Sequence, residues 1–120
     1  MPRLLIVDDE LDVREFAANF FKKRKIDVGI AASGEEALKI VSEAPPQLIL
    51  LDIKMEGIDG IETLKQIKKI NPSTKVIMVT GKKPDEEESF NKCKEFGATD
   101  YIHKPLRLEE LEKVVLKELS

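Results

Sequence analysis

Five residues of this 120-residue chain stand where polar chemistry meets the end of an apolar run. Asp8 and Asp9 follow Leu4-Leu5-Ile6-Val7, and Asp52 follows Leu48-Ile49-Leu50-Leu51. Thr80 ends a later apolar segment, and Lys104, with Pro105 behind it, ends another. If these runs are parallel strands, all five groups lie at the carboxyl edge of one sheet, where open α/β sheets bind ligands. Three carboxylates gathered there repel: at an effective dielectric near 20, each pair about 5 Å apart costs roughly 3 kcal/mol. One lysine does not cancel three negative charges, whereas a hard divalent cation does. Mg²⁺ takes oxygen ligands, keeps several waters and commonly uses one or two carboxylates plus phosphate oxygens; Mn²⁺ is the alternative ion. Asp52 can attack phosphorus and form an acyl phosphate. Lys104 can pair with phosphoryl oxygens as a point charge, and the Thr80 hydroxyl can donate to another. Such chemistry rests mostly on positioning and charge neutralisation. Asp8 and Asp9 are neighbours, so they cannot point the same way from a regular strand. One is expected to meet the cation directly and the other through water, and Asp9 is also a candidate N-cap of the first helix.

These residues need a scaffold, and the hydrophobic pattern supplies one. Strand patterns fall near Leu4–Val7, Ile26–Ala31, Leu48–Leu51, Val76–Val79 and Asp100–His103, with amphipathic stretches in the gaps. Helical spacing links Val13, Phe16, Ala17, Phe20 and Arg24 in the first helix, and Ala37, Leu38, Val41 and Ala44 in the second. Ile61, Leu64 and Ile67 mark the third, Phe90, Cys93 and Phe96 the more polar fourth, and Leu108, Leu111 and Val115 the fifth. Ser33 with Glu36 has capping-box spacing, Asn71-Pro72 stops the third helix, and Gly97 sits where a helix ends in a left-handed residue. The acidic run Asp85 to Glu88 suits the positive end of the fourth helix and needs no metal to explain it.

Alternating β and α elements imply a parallel sheet with helices on both faces. The first, third and fourth strands are continuously apolar, as strands buried on both faces are. The second alternates and the fifth is short, so those two read as edges. Right-handed connections then give a five-stranded parallel sheet of order 2-1-3-4-5 flanked by five helices. That order makes strands one and three neighbours at the topological switch point and brings Asp8 and Asp9 beside Asp52.

Bulk properties narrow the function. The length fits one domain, residues 1–120. A net charge of −3, with no basic stripe interleaved with aromatics, argues against a nucleic-acid surface. Lys22-Lys23-Arg24-Lys25 follows a helical pattern and reads as a solvated helix end. A single cysteine, Cys93, allows no internal disulfide and fits a reducing compartment. No apolar stretch reaches the length of a membrane span, and Met1-Pro2-Arg3 leads straight into a strand pattern, so no signal peptide is expected. The expected location is the cytoplasm, with no membrane partner.

With these residues in place, the chain resembles the receiver domains of two-component response regulators, which share the CheY-like, flavodoxin-like strand order. The resemblance covers essentially the whole chain. It is carried by Val7-Asp8-Asp9-Glu10, Leu51-Asp52-Ile53-Lys54-Met55, Gly57 and Gly60, Val79-Thr80-Gly81, and Tyr101-Ile102-His103-Lys104-Pro105. It implies that Asp52 is the phosphoacceptor, served by a sensor histidine kinase or a histidine phosphotransfer protein. It implies that Asp8, Asp9 and Asp52 hold Mg²⁺ together with the main-chain carbonyl of Lys54. Thr80 and Lys104 would contact the phosphoryl group, Thr80 and Tyr101 would form a coupled switch pair, and Lys104-Pro105 would be a cis peptide. Phosphorylation would then change partner affinity on the face of the fourth helix, fifth strand and fifth helix.

Two departures stand out. Glu56 replaces the proline that usually follows the methionine of the loop after the phosphoacceptor, which bears on loop rigidity rather than on chemistry. Lys54 and Lys82 fill two positions that tune dephosphorylation in the family. Two added amines there imply a phosphoryl lifetime unlike that of fast chemotaxis-type members.

Other readings are weaker. A haloacid-dehalogenase-type phosphatase would place a second Asp two residues after its nucleophile, where Lys54 stands, and there is no room for a substrate cap. On this reading the chain is no turnover enzyme beyond its own phosphorylation and dephosphorylation. A silent receiver acting only as an interaction module would leave the carboxylate repulsion without an offset. The receiver of a longer DNA-binding regulator remains an alternative, with the output domain elsewhere. His103, the only histidine, lacks partners for a metal site and reads as an edge-strand surface residue. Cys93 reads as a small core residue, and Phe20-Phe21 as core and half-buried surface.

Overall fold

The computed structural model describes residues 3–55, 57–81, 86–103 and 106–119, and side chains throughout except at 86–90. Ten elements alternate along the chain: β1 (Leu4–Val7), α1 (Leu11–Lys22), β2 (Val28–Ala31), α2 (Gly34–Glu43), β3 (Leu48–Asp52), α3 (Gly60–Ile70), β4 (Lys75–Thr80), α4 (Glu86–Glu95), β5 (Asp100–His103) and α5 (Leu108–Leu119). The strands form one sheet of order β2-β1-β3-β4-β5, every pair parallel. This is the order expected from strand burial, and the reason holds. All residues of β1 and β3 are buried, whereas β2 and β5 each keep exposed or half-exposed positions.

Strand alternation divides the core in two. Leu4, Ile6, Leu48, Leu50, Ile77, Val79 and Ile102 face α1 and α5, where Ala17, Ala18, Phe21, Leu111, Val115 and Leu119 meet them. Leu5, Val7, Ile49, Leu51, Val76 and Met78 face the other way, onto Ala37, Val41, Leu64, Ile67 and Cys93.

Local punctuation works largely as the sequence suggests. Ser33 caps α2 by accepting from the Glu36 N–H at 3.1 Å, while the Glu36 carboxylate accepts from Ala32 N–H at 3.4 Å, one residue earlier than a standard capping box. Asn71 ends α3 in extended backbone ahead of Pro72. Gly97 takes φ +94° after α4. Asp59, which the sequence reading left out, caps α3 by accepting from Glu62 N–H at 2.9 Å.

Three expectations need correction. β2 starts at Val28 rather than Ile26. Lys25 turns through φ +63°, and the Ile26 N–H bonds back to the Phe21 carbonyl at the end of α1, so Ile26 is buried before the ladder begins. The buried face of α1 is Ala17, Ala18 and Phe21, with Phe16 48% exposed. Apolar residues surround this helix on several sides, and the two alanines let it approach the sheet closely. Arg24 is not on the buried face; its guanidinium lies 3.7 Å from the Phe20 ring centre and pairs with Glu112 of α5. Leu108, at the first turn of α5, is 40% exposed, and Leu111, Val115 and Leu119 carry that helix's burial. Phe90 and Asp85 lie outside the described side chains.

Candidate functional site

Asp8 leaves β1 still tied to the sheet: its N–H donates to the Ala31 carbonyl at 3.2 Å. Its Oδ1 accepts from the Glu10 N–H at 2.9 Å, and its carbonyl accepts from Arg14 Nη1 at 2.7 Å. The residue is 3% exposed, while Asp9 is exposed. Asp9 is not the cap of α1. That position belongs to Glu10, whose side chain makes no capping bond. The short link between β1 and α1 forces this: one residue separates Asp9 from the helix, and the Asp8 carboxylate already takes the N–H at the helix entrance. Carboxylate oxygens of Asp8, Asp9 and Glu10 lie within 4.8 Å of one another. Glu10 is the residue the sequence reading left out of the site, although the run of three acids was the signal for it.

Asp52 is the last residue of β3 and 5% exposed. The β1–β3 register pairs Val7 with Leu51, so the next residues, Asp8 and Asp52, come level one strand spacing apart, about 4.8 Å. Alternation from Leu4 and Ile6, and from Leu48 and Leu50, puts both carboxylates at positions of the same sheet face. The Ile53 N–H then bonds the Val79 carbonyl at 3.0 Å, and the Gly60 N–H bonds the Ile53 carbonyl at 2.7 Å. A Cβ on Gly60 would stand 2.2 Å from the Asp52 carbonyl oxygen, so only glycine lets α3 start this close to the end of β3. Lys54 follows in the loop, exposed.

Thr80 ends β4, is 5% exposed, and donates its hydroxyl to the Gly81 carbonyl at 3.0 Å. Its partner across the ladder is His103, and Met78 pairs with Tyr101. Thr80, Tyr101 and His103 therefore occupy positions of one face, opposite to that of Asp8 and Asp52. Tyr101 is half-buried and meets the His103 ring edge-on at 5.5 Å between centres. Lys104 and Pro105, with the expected cis peptide, lie outside the described residues, as do Lys82 and Glu56.

The donor set suits a hard cation. Carboxylate oxygens within 4.8 Å, one of them on a buried residue, need a counter-charge, and all are oxygen ligands of the kind Mg²⁺ takes. Two perturbed groups lie away from this edge. Burial, and after it the charge of Asp59, pushes the Cys93 thiol up to about 11. Burial lowers the Lys68 amine, which donates to the Thr74 carbonyl at 2.6 Å.

A parallel sheet of this order is a doubly wound α/β domain, and buried carboxylates at its switch point mark a candidate ligand site. The model of the response regulator receiver domain matches residues 4–116, and the chain belongs to that family, the signalling domains of two-component systems. It is 38% identical over 117 residues to Sporulation initiation phosphotransferase F of Bacillus subtilis (strain 168), covering 98% of this chain and 93% of that protein. It is 35% identical over 118 residues to Regulatory protein AtoC of Escherichia coli (strain K12), covering 98% of this chain but 25% of the relative. Among solved structures, the CheY-like receiver domain protein from Methanospirillum hungatei JF-1 superposes with a TM-score of 0.91 at 31% identity, over 99% of this chain and 94% of that one. The chain thus spans nearly all of some relatives and about a quarter of others. Receiver domains generally bind Mg²⁺ at an acidic cluster, and this chain carries an acidic group at Asp8, Asp9 and Glu10.

Proposed function

We propose that this chain is a phosphorylation-controlled switch in which Asp52 accepts a phosphoryl group from a phosphohistidine of a sensor histidine kinase or a histidine phosphotransfer protein. The observation that carries the reading is the register that sets buried Asp52 level with buried Asp8 on one sheet face, with Asp8 in turn grouped with Asp9 and Glu10. An Asp52 carboxylate oxygen attacks phosphorus. The new P–O bond forms as the P–N bond breaks, and the imidazole nitrogen leaves with the electron pair and takes up a proton. Asp8, Asp9, Asp52 and the Lys54 carbonyl are the proposed ligands of Mg²⁺, which when bound neutralises charge on the phosphoryl oxygens and the carboxylates. Lys104 pairs with a phosphoryl oxygen as a point charge.

The Thr80 hydroxyl, now donated to the Gly81 carbonyl, turns to donate to another phosphoryl oxygen. That rotation opens space on the face that Thr80 shares with Tyr101, and the ring follows inward. Phosphorylation in this way favours a pre-existing active arrangement of the α4-β5-α5 surface. The domain assignment over 1–120, a cytoplasmic site of action and the absence of direct DNA contact by this chain belong to the same proposal. No helix among the described residues is long and apolar enough to cross a membrane.

A second reading is favoured by one observation. The chain covers only 25% of Regulatory protein AtoC. On that reading it is the receiver of a longer regulator whose output domain does the downstream work, and the chemistry at Asp52 is unchanged.

The test is intact mass after incubation with Mg²⁺ and acetyl phosphate, beside an Asp52→Asn control. One phosphoryl group gained by the parent, and none by the variant or in EDTA, is expected. Phosphorylation that survives Asp52→Asn would overturn the assignment.

A further inference from the structure

The link between β1 and α1 is three residues long and entirely acidic: Asp8, Asp9 and Glu10. Like charges held within 4.8 Å tend to push such a link apart. Three hydrogen bonds converge on Asp8 to resist this. Its N–H is tied to Ala31, its Oδ1 to the Glu10 N–H, and its carbonyl to the guanidinium of Arg14. The first two belong to the sheet and to the turn itself. The third comes from one turn into α1, where the Arg14 N–H already bonds the Glu10 carbonyl at 3.1 Å. Arg14 thus clasps both ends of the acidic link, by its main chain at Glu10 and by its side chain at Asp8.

We infer that Arg14 is a positioning residue for the acidic site, holding the Asp8–Asp9 peptide unit so that the two carboxylates diverge toward a divalent cation. This rests on the reading of Asp8 and Asp9 as cation ligands. A guanidinium beside carboxylates usually settles on them as a forked pair. Here its 2.7 Å bond goes to a main-chain carbonyl, which fixes the backbone without drawing on the Asp8 carboxylate oxygens. With that carbonyl fixed, the plane of the following peptide is fixed, and with it the N–Cα axis about which the Asp9 side chain can turn. The buried carboxylate of Asp8 and the exposed one of Asp9 are then presented from adjacent residues without the loop having to order on binding.

Calorimetric titration of Mg²⁺ into the parent protein, Arg14→Met and Arg14→Lys tests this. It is run in about 0.5 M KCl, where the Debye length is about 4 Å, so that the long-range effect of losing the half-buried Arg14 charge is reduced. Partners that orient metal ligands typically contribute about 10- to 100-fold in metal affinity. Arg14→Met is expected at the low end of that range, about tenfold weaker. Arg14→Lys, which can still donate to the Asp8 carbonyl, is expected to recover most of the loss. In metal-free protein, the amide of Glu10 should exchange faster with solvent in Arg14→Met than in the parent.

Equal Mg²⁺ affinity in parent and Arg14→Met would overturn the inference alone, even if Arg14→Met unfolds at lower temperature. So would an Arg14→Lys variant as weak as Arg14→Met. Failure of the parent to bind Mg²⁺ would instead overturn the cation-site reading and the inference with it. If Arg14→Met does not fold, Arg14→Ala takes its place in both the Mg²⁺ titration and the Glu10 exchange measurement.

Discussion

Cys93 shows how a residue can be read correctly and still gain a property from its surroundings. Its place among apolar positions of α4 marked it as core, and it is buried in the same core cluster as Leu64, Ile67 and Met78. Burial, reinforced by Asp59, raises the thiol to about 11 from an ordinary 9.0. Between those two values the folded protein keeps a proton that the unfolded chain gives up. Stability is therefore at its full value below about 9 and falls as pH rises toward about 11, by on the order of 2–3 kcal/mol from this group. Urea titrations across that range should show the decline in the parent and a smaller one in Cys93→Ala; identical slopes would remove Cys93 as the cause. Iodoacetamide at pH 8 should alkylate the folded protein slowly and the urea-unfolded chain quickly. At the same scale, Asp8, Asp9, Asp52 and Thr80 were legible because each interrupts an apolar run at a strand end. Glu10 was hidden by its position at a helix entrance, where an acidic residue already has a reason to be. Arg14 could not be foreseen, since its bond depends on side-chain torsions that no spacing encodes.

Elements were legible to the extent that their apolar pattern had a single solution. β1, and β3 up to its terminal Asp52, are apolar without a break, and their bounds agree with the sequence to within one residue. Phe16, Ala17, Ala18, Phe20 and Phe21 gave α1 two plausible faces, and close approach of Ala17 and Ala18 to the sheet decided between them. β2 begins late because Lys25 adopts a left-handed turn, a conformation uncommon for a lysine and invisible to periodicity. The junction between β3 and α3 makes a sharper prediction. A methyl group at residue 60 would lie 2.2 Å from the Asp52 carbonyl oxygen and 2.6 Å from the Ile53 Cα, both main-chain atoms that cannot swing aside. Gly60→Ala must therefore shift α3 or the end of β3, at a cost of about 2–3 kcal/mol or more. Because Asp52 is at that junction, phosphoryl acceptance should fall along with stability. A denaturation midpoint within about 0.5 kcal/mol of the parent, the range of ordinary surface substitutions, would show that the contact is looser than the geometry implies.

At the scale of the whole molecule, the strand order was recoverable because burial ranks the strands, and right-handed crossovers leave few arrangements of five parallel strands. What the sequence could not give was the energetic tension this order creates. The same sheet that brings apolar strands together in its centre delivers carboxylates to one edge, so the fold is held against its own site. Relieving part of the repulsion should stabilise the metal-free protein while weakening its response to metal. Asp9 is the position for this test, being exposed and within 4.8 Å of both Asp8 and Glu10. Asp9→Asn removes two like-charge contacts through solvent and is expected to raise metal-free stability by about 1 kcal/mol. The parent should gain stability with added Mg²⁺ as mass action requires, about 2.7 kcal/mol at a hundredfold excess over its dissociation constant. Asp9→Asn should gain distinctly less at the same concentration, so that the two unfolding curves, separated in EDTA, cross as Mg²⁺ is added. Curves that stay separated but parallel would mean that Asp9 takes part in the repulsion but not in holding the ion, and coincident curves that it takes part in neither. A crossing would locate in one side chain the exchange of fold stability for cation binding on which the proposed phosphoryl chemistry at Asp52 depends.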